Sequence, residues 1–89
     1  LEKLDEVKAA NDQLRTFASA KEKELKSEAD AFQAKVAEAE KGFQGMTPQM
    51  QAATQKELQA LQEKLQIKQQ SAQTEIANRE KQLFEPIQK

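Results

Sequence analysis

The chain lacks cysteine, histidine, tryptophan and tyrosine, and it has only two glycines and two prolines among 89 residues. Without cysteine there is no disulfide and no thiol chemistry, so the redox compartment is unconstrained. Losing histidine as well removes the commonest bases, nucleophiles and soft metal ligands. Ser19, Ser27 and Ser71 stand among charged and amide residues with no base to activate them. No Gly-rich phosphate loop and no Asn-x-Ser/Thr sequon is present, and Gly42 and Gly45 are followed by no Lys-Ser or Lys-Thr. Catalytic, metal and cofactor sites are therefore expected to be absent.

Apolar surface is also scarce. Hydrophobic residues are 37% of the chain and aromatics 4%, too little for a rounded core but enough for one seam between two helices. No apolar run is long enough to cross a bilayer, so no stable membrane insertion is expected. Nor does one sign of charge dominate. Fourteen basic and fifteen acidic side chains leave a net charge of −1. The basic stripe of a nucleic-acid binder is missing, as is the basic face that settles a helix on anionic lipid. Pairs such as Glu22 with Lys26, or Glu24 with Glu28, sit at helix-surface spacings and read as a solvated face.

What is abundant is Ala, Gln, Glu, Lys and Leu, all strong helix formers. Such a polar chain can be disordered, but its apolar residues are periodic, which argues against that. The one break is Gly42–Pro48, reading GFQGMTP. Gly45 suits a left-handed position past a helix C-terminus. Thr47 before Pro48 suits an N-cap followed by proline in the first helical position. Met50 in place of Glu or Gln means there is no capping box. The chain is thus all-α, a long antiparallel two-helix coiled-coil hairpin: helix 2–44, turn 45–47, helix 48–85, with Pro86 perturbing the end. Each helix is on the order of 60 Å long.

Apolar spacing gives the register. Met50, Leu61, Ala72 and Leu83 recur every eleven residues, as do Leu65, Ile76 and Ile87, and in the first helix Leu14, Leu25 and Val36. Ala18 with Ala29 and Phe32 with Phe43 flank that row at the same interval. Eleven-residue repeats leave a hairpin nearly straight or weakly right-handed. A heptad reading also fits Leu25 to Met46 and differs at one position, Ala39 against Glu40; the eleven is preferred because the second helix supports it. Folding about Gly45–Met46 pairs residues whose numbers sum to about 93 or 94. Phe43 then meets Met50, Val36 meets Leu58, Phe32 meets Leu61, Ala29 meets Leu65, Ala18 meets Ile76, Ala10 meets Leu83 and Val7 meets Ile87. Three levels are polar: Leu25 with Gln69, Lys21 with Ala72, and Leu14 with Glu80. The expected seam is thus Leu14, Leu25, Phe32, Val36, Leu58, Leu61, Leu65, Ile76 and Leu83.

Six apolar side chains lie at its edge or off it: Ile67, Phe17, Phe84, Phe43, Met46 and Met50. Edge packing explains most of them, but Ile67 has no seam partner and is the strongest candidate for contact with another molecule. The open end, with Leu1, Leu4, Val7, Phe84 and Ile87, is more apolar than the middle, as if a body or partner covered it. Starting in helix-like sequence without Met, the chain reads as a piece of something longer.

The run Met50–Gln66 (MQAATQKELQALQEKLQ), the segment Gln69–Ile76 (QQSAQTEI) and the ending Arg79–Lys89 (REKQLFEPIQK) resemble the second arm helix of Skp/OmpH-like periplasmic chaperones. The ending LFEPIQK is the most specific part; Val7–Asn11 and Phe32–Val36 match the first arm helix more loosely. The Met46-Thr47-Pro48 turn is similar to that of Bacteroidetes-like members. The resemblance covers the arm and not the strands of the family's body. It implies a homotrimer whose hairpins enclose a cavity, ATP-independent holding of unfolded outer-membrane and periplasmic proteins as partners, and a periplasmic location. The near-neutral charge departs from strongly basic members and puts electrostatic capture of acidic clients in doubt. The alternative is a structural coiled-coil spacer or scaffold module without chaperone activity.

Overall fold

A computed structural model describes residues 2–88. Helix α1 runs over Glu2–Gly42 and helix α2 over Pro48–Gln88, joined by a 3-10 turn at Phe43–Gly45. There is no strand among the described residues. The two helices lie side by side in a body of 68 × 17 × 7 Å, so the hairpin is one helix thick.

The reversal is built differently from the sequence expectation. Helix α1 ends at Gly42 rather than at residue 44, and its last carbonyls are taken up by tightening into the 3-10 turn. Met46 N donates to Phe43 O at 3.1 Å, and Met46 itself is extended at φ −84°, ψ 150°. Gly45 is expected in the left-handed region, but no described residue has a positive φ. The turn needs no glycine conformation because a tightened turn followed by one extended residue already reverses the chain.

Thr47 caps α2: its Oγ1 accepts from Met50 N at 3.2 Å, and its carbonyl accepts the first helical bond from Gln51 N at 2.9 Å. Gln51 then reaches back across the turn, its Nε2 donating to Phe43 O at 2.9 Å. That bond ties the start of α2 to the end of α1.

At the far end Pro86 is expected to perturb α2 near residue 85, yet the helix continues through it to Gln88. Proline there removes the bond to the Gln82 carbonyl and crowds it, but Gln82 is exposed and lies close to the helix end, so water can serve that carbonyl instead.

Only two residues are buried among those described, Ala10 and Ala72, and neither completely. Their small size lets the backbones approach, and the large seam residues half-bury on either side. Leu14, Leu25, Phe32, Val36, Leu58, Leu61, Leu65, Ile76 and Leu83 are all half-buried. Two helices can cover only one stripe of each other, so the hairpin rests on many partial burials.

The register is mixed. Leu61–Ala72–Leu83 and Leu65–Ile76–Ile87 lie on the seam at intervals of eleven, but Met50 does not: it is exposed, and Gln51, Thr54 and Leu58 take the inward positions. Ala39 is half-buried and Glu40 exposed, so where the two repeats disagree the heptad wins. Near the turn, Gln51 points inward because its amide is needed at Phe43 O, and that choice rotates Met50 out.

Candidate functional site

The two broad sides of the hairpin differ. Three cross-helix ion pairs lie along one of them. Lys21 Nζ is 2.8 Å from Glu75 Oε2 and Lys35 Nζ is 3.1 Å from Glu57 Oε1, while Lys68 pairs with Glu28 between them. On α1 these residues are seven apart and their charges alternate; on α2 the partners alternate in the opposite order. Sliding one helix by a heptad would set Lys21 against Lys68 in one direction and Glu28 against Glu75 in the other. The charges therefore specify the register that the thin apolar seam favours.

Two of the three expected polar levels are corrected, while Lys21 with Ala72 stands. Gln69 and Glu80 are exposed; the polar residue in the seam beside Leu25 is Lys68, which with Leu25, Lys21 and Ala72 lines a small recess. The two lower ion pairs join residues whose numbers sum to 96 and the upper pair 92, straddling the expected value because long side chains reach diagonally.

Between the middle and upper pairs the side chains of the two helices line a groove of about 390 Å³. Phe32, Leu61, Leu65 and Ala31 form its apolar part, and Lys35, Lys64, Lys68 and Glu28 its polar rim. Lys35 and Lys68 already have carboxylate partners, whereas Lys64 makes no ion pair among the described residues. Glu28 uses Oε1 for Lys68, and its Oε2 is enclosed without any donor.

Below the groove, Phe17 is covered by charge. Lys21 Nζ stands 5.6 Å and Arg79 Cζ 5.7 Å from its ring centroid, both within cation–π range. The hydrogen bond to Glu75 holds the Lys21 ammonium above its ordinary value of 10.5, against a smaller opposing effect of desolvation. Phe17 is therefore half-buried and already engaged.

The other contact candidates divide clearly. Ile67 is 63% exposed and Met50 55% exposed, and Leu4, at 71%, joins them. Phe43, Met46 and Phe84 are half-buried, and Met46 packs on the turn, with Thr54 Oγ1 donating to its sulfur at 3.5 Å. Helical spacing sets Ile67 beside Lys64 and Ser71, one row outside the groove and on the same side.

On the opposite side, Gln55, Gln59, Gln62, Gln66, Gln69 and Gln73 follow one another at intervals of four and three and are all exposed. Apolar periodicity does not reveal this amide row, although its own four-and-three spacing could have. The groove is hidden in the sequence for another reason: Glu28 and Lys68 look like surface charges there.

A protein-family model described as "Outer membrane protein (OmpH-like)" matches residues 1–89. The chain belongs to this OmpH-like family. The match takes in both helices and the turn. The family is one of periplasmic chaperones, without catalytic chemistry of its own. No curated protein and no solved structure matches the chain. Among the described residues no helix is long and apolar enough to cross a membrane, and no group of His, Cys, Asp and Glu could hold a metal ion.

Proposed function

We propose that this OmpH-like hairpin is the arm of an ATP-independent holdase, which binds unfolded outer-membrane and other periplasmic proteins through apolar side chains off its seam. In the full-length protein three such arms would hang from a shared body and enclose the client. The observation that carries the reading is the joint one of family and surface. The family match spans the whole hairpin, and the hairpin displays Leu4, Met50 and Ile67 singly along its length while, among the described residues, burying only two alanines. Scattered apolar contacts on a thin strut can hold an extended chain weakly at many points, and avidity among arms can supply the rest. With a net charge of −1, attraction by overall charge contributes little, so apolar contact supplies most of the affinity.

The test is suppression of aggregation of an unfolded outer-membrane protein by the full-length protein. Ile67→Gln should reduce suppression without lowering helicity, since the side chain is exposed. Leu61→Gln should lower thermal stability first, by about 1–3 kcal/mol for a half-buried leucine, and lose holding only as the arm melts. If Ile67→Gln holds clients as well as the parent, off-seam contact is wrong for that residue. If the parent suppresses no aggregation, the hairpin is a structural spacer instead.

A further inference from the structure

Resting on the holdase reading, we propose that the groove between Phe32, Leu61 and Leu65 is a client subsite that takes one large apolar side chain lying next to a carboxylate on an extended polypeptide. Two features of the groove fit that occupant together. Its apolar floor and volume of about 390 Å³ suit a phenylalanine or leucine side chain with part of its backbone. Its rim carries three lysines against one glutamate, and Lys64 has no carboxylate of its own among the described residues. A client carboxylate one or two residues from the buried side chain completes that pair.

The side of the hairpin matters as well. Ile67 stands one row outside Lys64 on α2, so a chain seated in the groove continues over Ile67 without turning around the helix. A near-neutral arm thereby keeps a local preference for acidic-apolar segments, because Lys64, without a carboxylate partner among the described residues, stands at an apolar groove. A second copy of this hairpin fits less well, since its own rim repeats the same lysines.

The experiment uses the full-length protein with labelled leucine methyls and two unstructured peptides of about eleven residues, long enough to cross the groove and reach Ile67. Each carries a single phenylalanine in a Gly/Ser background, flanked in one by two aspartates and in the other by two lysines. The aspartate peptide should shift the Leu61 and Leu65 methyls and bind about five- to tenfold tighter than the lysine peptide, a preference that shrinks as salt rises. Lys64→Glu should abolish or reverse the preference, and Gln66→Glu, on the opposite side, should leave it intact. Equal binding of both peptides, an unchanged preference in Lys64→Glu, or shifts confined to residues beside the glutamine row would overturn the proposal. So would shifts of Leu61 and Leu65 that grow with protein concentration alone, which would assign the groove to a second copy. The holdase reading fails separately: the parent would then not suppress aggregation, whichever peptide it prefers.

Discussion

Exchanging the charges of Glu28 and Lys68 probes the part of the hairpin where polar residues occupy the seam. The Lys68 and Glu28 side chains are 43% and 33% exposed, and the pair lies between the groove and the smaller recess. Two unit charges about 4 Å apart attract by about 1 kcal/mol in water and about 4 kcal/mol at the effective dielectric of a protein surface. A half-exposed pair falls between these limits, and ordering two long side chains offsets part of the gain. A coupling of about 1–2 kcal/mol is therefore expected. Glu28→Lys alone sets two ammonium groups together and should destabilise by about that much or more; Lys68→Glu alone should do the same with two carboxylates. The double exchange should recover most of the loss, because the alternation with Lys21–Glu75 and Lys35–Glu57 is broken but each level is again neutral. Urea unfolding followed by helical circular dichroism measures all four proteins, and the cycle isolates the coupling. Additive single effects, with a coupling under about 0.3 kcal/mol, would refute the pair's role in the seam.

Gly45 has negative φ and no heavy atom within 4 Å of an added Cβ, so Gly45→Ala should stabilise the chain by about 0.4–1 kcal/mol; a loss on urea unfolding would mean that glycine is required for the turn. Lys21 holds its proton more tightly folded than unfolded, so its contribution is complete below its ordinary value of 10.5 and is lost as pH rises through the higher folded value. Lys21→Met should flatten that alkaline portion of the stability curve and leave the neutral portion with the same slope, as thermal unfolding from neutral to strongly alkaline pH would show.

The hairpin is legible in the sequence because helix formers, one break and apolar periodicity all point to the same answer. Spacing alone places Phe32, Val36, Leu58, Leu61 and Leu65 on the seam, since large apolar residues at helical intervals have few other places to go. The polar parts of the seam are not legible in this way. Spacing favours Gln69 over Lys68, because the attraction that draws Lys68 inward depends on Glu28, forty positions away in the chain. Hydrophobicity places Met50 inside, but the amide of Gln51 claims the inward position by bonding Phe43 O. Residue preference makes Gly45 a left-handed cap, while the 3-10 turn meets the same orphan carbonyls by another route. Phe17 can be picked out as an edge residue, but the two cations over its ring come from different helices and only the fold brings them together.

Contact between the arm's off-seam side chains and the client is read most directly by photo-cross-linking. A benzophenone amino acid at position 67 of the full-length protein, irradiated with an unfolded outer-membrane protein bound, should yield a covalent adduct with the client. The same probe at exposed position 59, in the glutamine row on the other side, should yield much less. Strong adducts at 59 with none at 67 would contradict a holdase that grips its clients through Ile67.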